Sequence, residues 1–124
     1  MGEEKNIRII HIKDFIRADV DGHFDLERSR QLLKDLAGFT QDNPGQNILL
    51  DGREATSDLT TVDIFNLVSG LFEAGVGVRN KLAMLNRPKD DFDRAAFLEL
   101  CAKNRGFNIS AFRDFEEALA WLNE

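Results

Sequence analysis

The stretch Asn47-Ile48-Leu49-Leu50-Asp51-Gly52-Arg53-Glu54-Ala55-Thr56-Ser57-Asp58-Leu59-Thr60-Thr61 decides the fold. Its apolar opening reads as a buried interior strand that Asp51 finishes, and its hydroxyl-rich middle as a loop. Its close reads as the start of a helix, because Ile64, Phe65, Leu67, Val68, Leu71 and Phe72 cover more than half of a helical circumference. In an α/β sheet, ligands and modifications gather where strand ends meet helix starts, since unpaired backbone N–H groups and the helix dipole favour negative charge there. The loop from Gly52 to Thr61 is therefore the first place to look for function.

Upstream, Ile7, Ile9, Ile10 and Ile12 form one apolar run and Phe15, Ile16, Ala18 and Val20 another, with only Lys13-Asp14 between them, which predicts an antiparallel hairpin. Asp21-Gly22-His23-Phe24-Asp25 reads as a turn cluster ending in the N-cap Asp25. Leu26, Leu33, Leu36 and Ala37 then mark one helical face, with Gly38 as its stop. Asp42-Asn43-Pro44-Gly45 is a turn before the strand at Ile48. Downstream, Gly75 and Gly77 are expected to end the second helix, Lys81–Leu85 is a strand, and Arg87-Pro88-Lys89-Asp90-Asp91 is its exit loop. A helix from Phe92 stops at Gly106, Phe107–Phe112 is the last strand, and Asp114 with Glu117 opens a terminal helix through a variant of the capping box. Strands separated by helical crossovers run parallel. The expected fold is thus a single α/β domain with a five-stranded mixed sheet and four helices.

Composition bounds the function. The chain has 124 residues, 43% hydrophobic and 31% charged, enough for one globular domain with a real core. A net charge of −6 and a pI near 4.9 oppose binding to nucleic acid or to an anionic membrane surface. The lone Cys101 forms no intramolecular disulfide, and no apolar run has the length of a secretory signal or a membrane span, so the expected location is cytoplasmic, without stable membrane insertion.

Four features together resemble a known family: the opening hairpin, Val20-Asp21-Gly22 before the first helix, Ile48-Leu49-Leu50-Asp51 before the hydroxyl loop, and the close Phe112-Arg113-Asp114-Phe115-Glu116-Glu117-Ala118-Leu119-Ala120-Trp121-Leu122. The chain resembles the STAS domain superfamily, named for sulfate transporters and anti-sigma-factor antagonists, and in particular its stand-alone SpoIIAA-like branch. The resemblance implies a non-catalytic regulatory module in which a Ser or Thr at the start of the second helix is phosphorylated to switch a protein partner. The matching region is Asp58-Leu59-Thr60-Thr61, where Leu59 intervenes after the acid and Val62 stands in place of the usual glycine.

Each candidate residue also has a structural role to weigh. Thr60 or Thr61 suits an N-cap, with Asp63 or Glu54 as favourable charge near the dipole, and capping alone accounts for a hydroxyl there. Arg53, Arg87 and Lys89 leave two parallel strands at one edge, near Ser57 and Thr60. They could gather an anion or be neutralised by Glu54, Asp58, Asp90 and Asp91. Asp19 to Asp25 superficially matches a calcium loop, but with Gly22 in the glycine position the first and last ligands would be Arg17 and Arg28. His11, His23 and Cys101 lack metal-ligand spacing, and Cys101 beside Leu100 and Ala102 reads as core. No metal or cofactor is expected. An enzyme would need Asp51 to converge with Arg87 or His11. Ten Phe without a Tyr point to packing, with any ring left exposed marking a partner surface.

The sequence thus predicts a module that binds a protein of unknown identity or a second copy of itself, through Asp51, Arg53, Ser57, Asp58, Thr60, Thr61, Arg87 and Lys89. The competing reading is a carrier that holds a lipid or small apolar or anionic ligand between sheet and helix. The presence of a roomy apolar cavity beneath the second helix is the feature that separates the two.

Overall fold

The computed structural model describes residues 7–12, 14–43, 45–74, 80–87 and 90–124, with the backbone alone at 71–74, 90 and 91. The chain order is β1 (Ile7–Ile12), β2 (Phe15–Phe24), α1 (Leu26–Asp42), β3 (Asn47–Ser57), α2 (Thr61–Ala74), β4 (Leu82–Leu85), α3 (Asp90–Asn104), β5 (Ile109–Phe112) and α4 (Phe115–Leu122). The sheet runs β1-β2-β3-β4-β5, antiparallel between β1 and β2 and parallel thereafter. This is the mixed five-stranded architecture that the hairpin and the strand-helix repeats predict.

Strand order fixes the layers. Each parallel step moves to the next strand in the same direction, so right-handed crossovers place α1, α2 and α3 on one face. There Ile16, Ala18, Ile48, Leu82 and Ile109 pack against Leu32, Leu36, Val68, Ala95 and Ala102. Among the described residues the opposite face receives only α4, whose Ala118 and Leu122 cover Leu49, Ala83 and Leu85. Asn47 Nδ2 donates to Leu122 O at 3.0 Å and Lys81 Nζ to Trp121 O at 2.8 Å, tying the last carbonyls of α4 to the sheet.

Three sequence readings are corrected. Asp21-Gly22-His23-Phe24 is not a turn but the end of β2, and Gly52 to Ser57 is not a loop but the end of β3. The two continue as a paired ribbon from Asp21↔Glu54 to Phe24↔Ser57. Polar residues and glycine obscured the ribbon because two strands standing beyond β4 and β5 have less apolar surface to bury. Gly22, at φ 86°, adopts backbone that few other residues accept. Between Asp19↔Asp51 and Asp21↔Glu54 the register shifts, two residues of β2 spanning three of β3. This bulge reverses the facing of β3: Ile48 and Leu50 point to the three-helix layer before it, and Ala55 does so after it.

Gly38 does not stop α1. The helix continues through it to Asp42, where Asn43 N donates to Phe39 O at 3.0 Å, and the added turn stacks Phe39 against His11 with centroids 5.3 Å apart. The N-caps expected at Asp25 and Asp114 are present, accepting from Arg28 N and Glu117 N. Gly106, at φ 85°, closes α3, while the stop expected at Gly75 and Gly77 lies outside the described residues. The broad apolar face of α2 is also only partly buried: Ile64, Leu67 and Val68 face the core, but Phe65 is half exposed. Because a Cβ at Gly38 meets no atom within 4 Å, Gly38→Ala is expected to stabilise the protein by about 0.5–1 kcal/mol. Chemical denaturation checks this, since a helix-ending glycine would instead lose stability on substitution.

Candidate functional site

The proposed site residues divide between two places. Asp51 lies within β3 rather than at its end, opposite Asp19 and Leu85, with its side chain on the α4 face and largely buried. Arg53, just past the bulge, folds back on it: its backbone N donates to Asp51 Oδ1 at 3.1 Å, its Nε to Oδ1 at 3.0 Å and its Nη2 to Oδ2 at 2.8 Å. Arg17 from β2 donates to Asp51 Oδ2 at 2.9 Å and to Asp19 Oδ1 at 2.7 Å, while its guanidinium lies 5.4 Å from the Phe115 ring centroid. The four side chains form a polar network on the sheet beside α4.

Burial pushes the Asp51 carboxyl up, but the hydrogen bonds from Arg53 and the charges of Arg53 and Arg17 outweigh it and hold the carboxyl below its ordinary value. The Arg53 guanidinium is raised in turn, chiefly by its hydrogen bond to Asp51. Since the folded-state value is the lower one, the stabilisation is complete above the unfolded pKa of about 3.9 and is lost as pH falls through the folded value. His11 stacks on Phe39 in the other layer, so the pairing of Asp51 with His11 does not form.

The second place is the far end of the β2–β3 ribbon. Ser57 ends β3, and its Oγ accepts from Leu59 N at 3.2 Å, turning the chain toward α2. Thr60 is the N-cap: its Oγ1 accepts from Asp63 N and Asp63 Oδ2 accepts from Thr60 N, both at 3.1 Å, a reciprocal capping box with Asp in the Glu position. Thr61 is the exposed first residue of α2. Asp58 is exposed, with Oδ1 3.3 Å from His23 Nε2, while His23 Nδ1 lies 3.0 Å from Thr56 Oγ1. His23 thus joins the end of β2 to the loop. In the sequence His23 reads as part of a turn and lacks metal-ligand spacing; its pairing with Thr56 depends on the ribbon, which local composition does not show.

Of the expected cluster of Arg53, Arg87 and Lys89, the first two are each engaged on β3. Arg53 is held by Asp51, and Lys89 lies outside the described residues. Arg87 Nη2 donates to Ala55 O at 2.9 Å, satisfying a carbonyl on the β3 edge beyond the last β4 pair, Asp51↔Leu85. That bond does place the turn after β4 beside the ribbon. Among the described residues no group of three His, Cys, Asp or Glu side chains is arranged to hold a metal ion, and no helix is long and apolar enough to cross a membrane.

Next to this rim lies a cavity of about 170 Å³, partly open to solvent and lined almost wholly by apolar groups. Leu50 and Met84 form its floor, Leu32 stands on the α1 side, Ile64 on the α2 side, and Ala95 and Leu98 on the α3 side. Its origin is geometric. The ribbon projects beyond β4 and β5, and small residues at Gly52, Ala55 and Ala95 do not fill the space between ribbon and helices. Leu59 reaches into the wall from the loop, so rim and cavity share a boundary.

No family model and no curated protein matches the sequence. Solved structures do match. An uncharacterized DUF3478-family protein with a SpoIIAA-like fold from Shewanella loihica PV-4 superposes with a TM-score of 0.56 at 19% identity, over 98% of this chain and 99% of that one. The fold is SpoIIAA-like. A candidate anti-sigma factor antagonist from Thermotoga maritima gives 0.58 at 15% identity over 95% of each chain. The anti-sigma factor antagonist SpoIIAA in its unphosphorylated form gives 0.55 at 13% identity over 94% of this chain and 97% of its own.

Two outcomes follow from this geometry. Asp51→Asn weakens the network and is expected to cost roughly 1–3 kcal/mol near neutral pH. The cost begins to shrink as the pH falls below the unfolded value of about 4 and is lost through the lower folded value, where the parent's own carboxylate is protonated, so denaturation profiles of the two proteins should converge in acid. Thr60→Ala removes the cap and is expected to cost about 1 kcal/mol, with hydrogen exchange rising first at the amides of the opening turn of α2.

Proposed function

We propose that this protein is a non-catalytic regulatory module that acts by binding a protein partner through the rim from Ser57 to Thr61 and the first turns of α2. The observation that carries the reading is the apolar surface directly beyond the rim. Val62 is 66% exposed and Phe65 51% exposed on the helix that Thr60 caps. Phe65 is steadied where it stands, with the Arg105 guanidinium 4.9 Å from its ring centroid and Arg105 Nη1 donating to Ser69 Oγ at 3.0 Å. A preordered aromatic ring beside an Arg is the composition of interface anchors, because little side-chain entropy remains to be lost on association. The SpoIIAA-like fold, shared with anti-sigma factor antagonists, supports a partner that is itself a protein.

A switch at this rim follows from the capping box. A phosphate on Thr60 would remove the acceptor that Asp63 N uses and set new negative charge against the Asp63 carboxylate, loosening the turn that presents Val62. Thr61, exposed beside it, offers a second hydroxyl with no part in the cap.

The test is quantitative affinity capture with the parent, Phe65→Asp and Asp51→Asn, followed by titration of whichever protein the parent retains. Phe65→Asp should weaken that interaction about tenfold or more while its thermal melt stays near the parent's. Asp51→Asn, on the other side of the sheet, should bind as the parent does. Equal binding by Phe65→Asp and the parent removes the α2 surface from the function. Sedimentation across a range of concentrations reports whether the retained partner is a second copy of the chain.

A further inference from the structure

We infer that the cavity between the β2–β3 ribbon and the helices binds a compact, uncharged and largely apolar molecule of roughly six to eight heavy atoms, whose one hydroxyl or carbonyl meets the hydroxyl of Ser29. This inference does not depend on the protein-binding reading above.

The walls set the chemistry of the ligand's body. A sugar or nucleotide brings many hydroxyls and charges, each costly to bury without a hydrogen-bond partner, and an almost wholly apolar lining offers too few. The volume sets its size. A dry cavity of about 150 Å³ lined by aliphatic and aromatic side chains takes up benzene, and the one here, at about 170 Å³, holds slightly more. A full-length membrane lipid does not fit within it.

The single polar group follows from the partners that the wall's polar side chains already hold. Thr56 Oγ1 lies 3.0 Å from His23 Nδ1, Ser57 Oγ accepts from Leu59 N at 3.2 Å, and Asn86 Nδ2 donates to Met84 O at 3.0 Å. Arg94 likewise holds a partner. Ser29 differs. It shares the buried face of α1 with Leu32 and Leu36 and is only 9% exposed, yet its hydroxyl bonds to none of the described residues. Its oxygen is not sealed among protein atoms either, so it borders open space, and the space beside Ser29 is the cavity. A hydroxyl both donates and accepts, so one alcohol, phenol or carbonyl oxygen satisfies it. An ion at that depth would give up its hydration for one neutral partner, which disfavours carboxylates and amines.

The experiment exploits Met84. The chain has two methionines, Met1 and Met84, and Met84 stands in the cavity wall, so its ¹³C-methyl resonance reports occupancy by an aromatic ring. Phenol, toluene, benzoate and benzylamine share a ring and differ in what it carries, and each is titrated into the full chain. Phenol and toluene should move the Met84 signal saturably, at roughly millimolar concentrations or below. Benzoate and benzylamine should bind at least about tenfold more weakly than phenol. Ser29→Ala should weaken phenol roughly threefold to tenfold and leave toluene as tight or tighter. It should not lower Tm, since no bond to a described residue is lost. Ala95→Leu fills the space from α3 and should abolish both shifts; Ala55→Leu fills it from the sheet should the first variant not fold. The inference is overturned if phenol gives no saturable shift, if the shift persists undiminished in a folded filled variant, or if benzoate or benzylamine matches phenol. It is equally overturned if Ser29→Ala weakens phenol and toluene alike, or neither.

Discussion

The handedness of the crossover connection governs the arrangement of this molecule. With strands laid down in the order β1 to β5, every helical crossover falls on the same face, and only the helix after the last strand is free to cover the other. One face is therefore a three-helix roof and the other is a strip under α4 with open sheet beside it. The Arg17, Asp19, Asp51 and Arg53 network occupies the sheet at the border of α4, with Arg17 against Phe115, where an apolar surface would be left partly wet. A carboxylate so largely buried persists because two guanidinium groups and a backbone N–H compensate its desolvation.

Unequal strand length gives the protein its remaining features. Beyond Asp51, β3 runs six residues further, of which Glu54 to Ser57 pair with β2, and creates a ribbon that overhangs the short strands β4 and β5. The overhang has a free edge that Arg87 satisfies at Ala55, a tip where His23 meets Thr56 and Asp58, and a cavity beneath it that Leu59 borders. Rim and cavity are consequences of the same extension. The bulge at Gly52-Arg53 makes the extension compatible with both layers, turning Ala55 toward the helices while Arg53 returns to Asp51.

The sequence made the layer plan legible because hydrophobic period and cap residues agree along most of the chain. Ile48-Leu49-Leu50 and Leu82 to Leu85 are apolar on both faces, as interior parallel strands must be, and Asp25 and Asp114 stand where helices begin. The ribbon was not legible, since Asp21-Gly22-His23 and Gly52-Arg53-Glu54 have turn-like composition and their pairing is a long-range effect that local propensity does not contain. Gly38 misled for a related reason: a mid-helix glycine costs only about 1 kcal/mol, which tertiary contacts such as Phe39 on His11 offset. At the site, the cap at Thr60 followed from residue type, but the attachment of Arg53 to Asp51 required the bulge. The cavity was beyond reading, because a void is a small difference between large packed volumes contributed by seven elements.

The two edges of the sheet are finished differently. On β5, the Glu99 carboxylate of α3 accepts from Ala111 N at 2.6 Å, occupying a donor that an incoming strand would need. On β1 the outermost strand carries Ile10 and Ile12 at 38% and 39% exposure, with no further strand beside it among the described residues. Endless stacking of sheets requires two compatible edges per copy, one to give and one to receive. With that donor taken, β5 offers an incoming strand one hydrogen bond fewer than β1 does, so pairing of two copies favours β1 against β1, an arrangement that closes at a pair rather than growing into a filament.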